Sequence, residues 1–187
     1  MASQGTVLRK SRMESLARYN KLQMLMHWIV APAIIFLLLT GTFILSEVPN
    51  TAPDKLDKLQ IHATVGFVVL ILTIIRILWA LKSEQPAHVD SGSPLMTKLG
   101  AIAPKLLNLL ALVVALSGLV MGLGTGLIEL LVTGHGALPE AFAGPVKIVH
   151  GLGSKLLMAS VSIHMIASLA HQFVIKDQIF KRILPIG

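Results

Sequence analysis

Four stretches of this chain are apolar for so long that a single class of fold accommodates them. They run roughly from Met24 to Leu45, from His62 to Leu81, from Ala103 to Gly124 and from Val149 to Ile175. Each reaches the roughly 20 residues that a helix needs to cross the hydrocarbon of a bilayer. Lipid offers no water to backbone N–H and C=O groups, so each stretch must satisfy its own backbone as a helix. The expected fold class is an all-α membrane protein, a bundle of four transmembrane helices. Pro32 interrupts the first span and is expected to kink it. Pro104 is placed at the first turn of the third, where proline is tolerated.

Little chain is left for anything else. Of 187 residues, 54% are hydrophobic and 13% charged, with a mean hydropathy of +0.77. The expected organisation is a basic N-terminal segment, residues 1–20, followed by one membrane domain over residues 21–187. The absence of cysteine excludes disulfides, iron–sulfur clusters, thiolate metal sites and covalently attached c-type haem. The net charge of +7 carries no basic patch interleaved with aromatics, so nucleic acid is not an expected partner. The basic start and the apolar run after it are too long for a signal peptide and read as an uncleaved first span.

Charge also sets an expected orientation. Arg9, Lys10, Arg12, Arg18 and Lys21 precede the first span; Lys82, Lys98, Lys176, Lys181 and Arg182 fall on the same side. The two opposite loops carry Lys55, Lys58 and Lys147, offset by Glu47, Asp54, Asp57, Glu129 and Glu140. The positive-inside rule then puts both termini in the cytoplasm, and in a Gram-negative host the other face is periplasmic. The segment from Thr125 to Pro145 is too apolar for a solvated loop and reads as an interfacial helix or a lid on the outer face. The stretch SEQPAHVDSGSP reads as a cytoplasmic linker.

Histidine inside a span is costly and needs a reason. His150 and His164 stand fourteen residues apart in the fourth span, on one helix face and about 21 Å apart along its axis. Up-down topology puts His62 near the outer start of the second span, level with His150. It puts His27 near the cytoplasmic start of the first, level with His164. The expected pairs are His62 with His150 (outer) and His27 with His164 (inner). An imidazole on each face of a b-type haem closes both axial positions, which suits electron transfer rather than oxygen binding. A di-metal centre is disfavoured, because the spans hold almost no carboxylates. A lone histidine between helices could equally be a hydrogen-bonding group; four at paired depths favour two haem sites.

Other residues fit around these pairs. Arg76 follows His62 by fourteen, and either meets an inner-haem propionate or snorkels to the cytoplasmic headgroups. Lys55 and Lys58 precede His62 by seven and four, and Lys147 precedes His150 by three. If the helices extend outward, these amines bind propionates or steer a small anion to the outer site; alone they are ordinary helix-end charges. Lys155 falls off the ligand face. Gly66 and Gly41 follow His62 and His27 by four and fourteen, and could let a flat macrocycle lie against a bare helix. His171, seven beyond His164, either hydrogen-bonds a quinone carbonyl or is an interfacial histidine. His88 and His135 fall in loops.

The segments RYNKLQMLMHWIVA, IHATVGFVVLILTIIRILWALK, VHGLGSKLL and IHMIASLAHQFVIKDQIFKRILP together resemble the bacterial cytochrome b561 family, from about Arg18 to Pro185. The resemblance implies a four-helix bundle with two haem b groups held by His27, His62, His150 and His164. It implies a quinone, such as ubiquinone, as electron acceptor beside His171, with Arg76 on the propionate side. It implies oxidation of periplasmic superoxide, with Lys55, Lys58 and Lys147 as a positively charged funnel, and a place in the inner membrane. The third span begins GAIAPKLLNLL, where some members have further histidines, and Gln172, Phe173, Val174 and Ile175 stand where bulkier rings can occur. Two other functions stay open: a haem b subunit that serves a separate redox enzyme, and a haem-free scaffold or transporter.

Overall fold

The computed structural model describes residues 18–86, 93–133, 138, 144–176 and 179–185. His88, His135 and Glu140, and most of the basic N-terminal segment, lie outside the described residues. Among the described residues the helices are α1 (Lys21–Thr40), α2 (Lys55–Lys82), α3 (Pro94–Gly124), α4 (Leu127–Thr133) and α5 (Pro145–Ala170). A π-helical turn, Gly41–Leu45, prolongs α1; another, His171–Ile175, prolongs α5; a 3₁₀ turn, Ile179–Arg182, follows. No strand occurs among these residues.

The four long helices with their π turns contain 25–31 residues each. At about 1.5 Å per residue they are about 37–46 Å long, more than the ~30 Å of bilayer hydrocarbon. Their ends therefore project beyond the apolar runs. α1 begins at Lys21 because Asn20 and Gln23 cap it reciprocally: the Asn20 side chain accepts from the Gln23 N–H at 2.9 Å, and Gln23 Oε1 accepts from the Asn20 N–H at 3.4 Å. The buried Gln23 also donates through Nε2 to Ser83 Oγ (3.1 Å) and Gln85 Oε1 (3.2 Å), fastening the start of α1 to the end of α2.

One expectation is corrected in α3. That helix starts at Pro94, so Pro104 lies within it rather than at its first turn. Hydropathy marks where lipid begins, not where the helix begins. Pro94 takes the first-turn place that suits a residue without an N–H.

The middle of the bundle is an apolar cluster of Leu38 from α1, Ala111 from α3 and Leu157 from α5, surrounded by Ile34, Leu107, Leu110, Val114, Met158 and Val161. The outward faces carry exposed apolar residues such as Phe67, Ile71, Leu78, Ile163 and Ile166, as lipid contact demands. At the end that holds His62, α4 lies down on α2: Leu127 and Leu130 bury against Leu59, beside Leu45 and Leu56. Gly126, at φ +71°, makes the turn that permits this. The opposite end is closed by the C-terminal segment. Arg18 Nη2 donates to the Leu184 carbonyl (2.7 Å), the Tyr19 N–H to the Arg182 carbonyl (3.1 Å) and Trp28 Nε1 to the Ile183 carbonyl (2.9 Å).

Candidate functional site

α2 and α5 bring His62 and His150 together. Their ring centroids are 6.3 Å apart, with the planes at 74°. Two imidazoles on opposite sides of one metal, each bonded at about 2 Å, have centroids about 6 Å apart. The observed separation fits that arrangement.

The nitrogens are oriented from behind. His150 Nδ1 lies 3.0 Å from the Val114 carbonyl and 3.2 Å from Ser117 Oγ, both on α3. A carbonyl only accepts, so Nδ1 carries the proton and Nε2 keeps a bare lone pair. That is the state in which an imidazole binds a metal, with a backbone carbonyl fixing its tautomer. The ring reaches α3 because residue 118 is glycine: a Cβ there would sit 3.0 Å from His150 Cε1 and 3.3 Å from Nδ1, but 4.0 Å from Nε2. Gly41 does the same for His62. Its Cβ would meet Cε1 at 3.1 Å and Nδ1 at 3.7 Å. Each ring thus turns its Nδ1–Cε1 edge to a glycine, and Nε2 is the nitrogen held away from it. His62 Nδ1 is buried without a hydrogen-bond partner.

At the other end, α1, α2 and α5 converge. His27, His164 and Arg76 lie within electrostatic range of one another, and Arg76 within range of Tyr19. The Trp28 ring stands edge-on to His27 at 5.5 Å and to Phe180 at 6.1 Å, joining this site to the C-terminal turn. His171 opens the π turn two helical turns beyond His164, and Gln172 Oε1 is buried with no partner. Such π turns recur at functional sites.

Among the described residues no three His, Cys, Asp or Glu side chains cluster as a metal site. The histidines come in pairs, and a pair alone cannot complete the tetrahedral shell of a bare ion such as zinc. It would supply the two protein ligands that a haem iron needs. The donor set therefore fits a haem better than a free ion.

The lysines around the outer pair depart from the expected ring of free amines. Lys55 is buried, 6% exposed, and Nζ donates to the carbonyls of Leu45 and Val48, each at 2.6 Å. Its ammonium is engaged by the carbonyls just beyond α1. Lys58 pairs with Asp54, one turn before it, and its hydrogen bond holds the Asp54 carboxyl below the usual carboxylate range. Lys147 is exposed. Gly41 sits at the outer histidine pair, not near His27, because fourteen residues carry it to the far end of its span. Gly66 meets no protein atom within 4 Å of a Cβ. Lys155 is exposed and apart from these contacts.

Sequence reasoning missed α3. It supplies no histidine, so nothing flagged Val114, Ser117 and Gly118. The available signal was the adjacent small pair Ser117-Gly118 in the apolar run of α3, at the depth of His150.

Known proteins give the chain a family. The family model described as prokaryotic cytochrome b561 matches residues 18–185. Cytochrome b562 of Cereibacter sphaeroides is 27% identical over 174 residues, 89% of this chain and 94% of that protein. The probable superoxide oxidase CybB of Yersinia pestis is 25% identical over 174 residues, 90% of this chain and 96% of its own length. Cytochrome b561 homolog 2 of Escherichia coli K12 is 27% identical over 182 residues, covering 89% and 91% of the two chains. With four membrane-spanning helices and a family match over nearly its whole length, the chain belongs to the prokaryotic cytochrome b561 family of haem b electron-transfer proteins, as a multi-pass protein of the bacterial inner membrane.

Proposed function

We propose that this protein holds two haem b groups and moves electrons from periplasmic superoxide to membrane quinone. The observation that carries the reading is the His62–His150 pair, 6.3 Å between rings, with His150 locked by the Val114 carbonyl in the metal-binding tautomer. His62 and His150 hold the outer haem, and His27 and His164 the inner one. When bound, the haems supply one-electron centres at two depths of the membrane.

The residues do the rest. Each pair of imidazoles would hold one haem through its iron and would leave little room there for a small ligand. The apolar Leu38, Ala111 and Leu157 cluster lies in the middle of the bundle and offers no side-chain proton carrier of its own. Arg76, close to His27 and His164, is placed to meet an inner-haem propionate. His171, at the end whose loop charges mark it as cytoplasmic, is placed to donate to a quinone carbonyl. Lys147, exposed and, among the described residues, without the acidic partner that compensates Lys58, gives the outer end its attraction for an anion. The donor is assigned by similarity to the probable superoxide oxidase of Yersinia pestis, at 25% identity.

The engagement of Lys55 by carbonyls and of Lys58 by Asp54 favours a second reading. With so few uncompensated cations at the outer end, the donor there would be a redox protein rather than superoxide. The exposed face of α4, with Glu129, Val132 and Thr133, would be its docking surface.

Rapid mixing of superoxide with the purified oxidised protein separates the two. Superoxide oxidation requires haem reduction far faster than in a His62→Ala variant. Equal rates, with a stoichiometric redox partner recovered on purification, establish the second reading. Haem content of the four single variants checks the ligand sets: His62→Ala and His150→Ala should lose one centre, and His27→Ala and His164→Ala the other.

A further inference from the structure

Lys55 is the one lysine of the three outer amines whose charge is buried. It stands at the first residue of α2, seven residues before His62, about two turns or ~10 Å along the axis. A buried ammonium is costly unless its protons are placed. Here two go to carbonyls that the end of a helix leaves without partners. The Ser46 N–H takes the Gly41 carbonyl, and the Glu47 and Val48 N–H groups take that of Ile44. The Leu45 and Val48 carbonyls go to Lys55 Nζ at 2.6 Å, short charge-assisted bonds. The negative end of the α1 dipole favours a cation at this point. The same π turn carries Gly41 against the His62 ring.

We propose that Lys55 is a fixed internal positive charge that raises the reduction potential of the outer haem, not a residue that meets the electron donor. The inference rests on the two-haem reading above. Its physics is elementary. Reduction would add one negative charge at the outer iron, and a cation fixed nearby by two carbonyls would stabilise the reduced state. For a charge about 10 Å from the His62 position, at an effective dielectric near 20, the effect on a one-electron equilibrium there would be about tenfold. Lys58 and Lys147 lack this leverage. The first is compensated by Asp54 and the second is exposed to solvent screening.

The test is an equilibrium redox titration of the haem-loaded protein, followed by its visible spectrum. The variants are Lys55→Arg, which keeps the charge, Lys55→Gln, which keeps a donor to the carbonyls without charge, and Lys55→Met, which keeps neither. Lys55→Gln should lower the reduced-to-oxidised ratio of the outer haem about tenfold at a fixed applied potential, about 59 mV for one electron. The inner haem serves as the internal reference and should not move. Lys55→Arg should titrate like the parent. Lys55→Met should fall as far as Lys55→Gln; if it does not load with haem, the Gln and Arg variants decide alone. A Lys55→Gln protein with the parental outer potential overturns the proposal, as does a Lys55→Arg protein that falls as far as Lys55→Gln. A parent protein without two haems would instead overturn the reading beneath it, so the two failures are distinct.

Discussion

Gly118→Ala puts the outer site under the most direct strain the structure offers. The new Cβ would stand 3.0 Å from His150 Cε1 and 3.3 Å from Nδ1. Carbon atoms in contact prefer about 3.5–4.0 Å, so the ring must retreat by about half an ångström or α3 must move away. The ring cannot retreat freely, because Nδ1 is tied to the Val114 carbonyl at 3.0 Å, one turn before Gly118. α3 cannot move freely either: Val114 packs against Gly153 of α5, where a Cβ would stand 2.9 Å from Val114 Cγ2. Overpacking of this kind costs about 1–3 kcal/mol. Placed on the outer haem, it lowers its affinity by about fivefold to a hundredfold. The assay is haem titration of the apoprotein, with the inner haem as the unperturbed reference. A Gly118→Ala protein that binds both haems with parental affinity and spectrum would refute the reasoning, because the tightest contact behind His150 would then have no consequence.

Two further substitutions read different parts of the outer end. At Gly66 an added Cβ meets no protein atom. Gly66→Ala should stabilise the apoprotein by about 0.4–1 kcal/mol, as glycine-to-alanine changes do in a compatible helix, yet weaken haem binding if a macrocycle lies on that face. Thermal melts of the apo and loaded forms measure both effects, and unchanged haem binding would remove Gly66 from the site. Asp54→Asn releases Lys58 at neutral pH. The Asp54 carboxyl is held below its usual range by the Lys58 hydrogen bond, so the pairing operates above the ordinary carboxylate pKa and is lost as pH falls through the lowered value. Freeing Lys58 should accelerate haem reduction by superoxide by about two- to tenfold at low salt, with the gain fading as salt rises. No acceleration at any salt would show that the outer cations do not guide the donor.

The spans and the meeting of His62 with His150 were legible because both follow from rules of low information: a helix must be apolar to cross lipid, and up-down topology brings the outer starts of two spans to one depth. The helix ends were not. α2 starts at Lys55, seven residues before its apolar stretch begins at His62, because Lys55, Asp57 and Lys58 are helical without being apolar. The meaning of Lys55 was equally hidden. A lysine two turns before a histidine looks like a solvated cation unless the end of another helix is known to lie beside it. Ser117 and Gly118 were silent for the opposite reason: their contribution to His150 is a hydroxyl, a missing side chain and, through Val114, a main-chain carbonyl. Contacts made by backbone and by absent atoms leave little trace in residue types.

The fourth span shows how closely two requirements are interleaved. His150, Leu157, His164 and His171 recur every seven residues, and seven residues miss two full turns by only about 20°. They form one slowly drifting stripe that faces the bundle. Two of these positions hold the proposed iron ligands, and the one midway between them is among the most buried residues of the protein, 3% exposed. Leucine there packs with Leu38 and Ala111 in the apolar middle of the bundle. A polar residue at the same position would need a partner in a region that offers none, and the water recruited to satisfy it would open a path for protons between the two sites. Two redox sites in one narrow bundle can hold a charge difference across the membrane only if electrons cross the gap alone. The apolar residue between the histidines is therefore as much a condition of the proposed function as the histidines themselves.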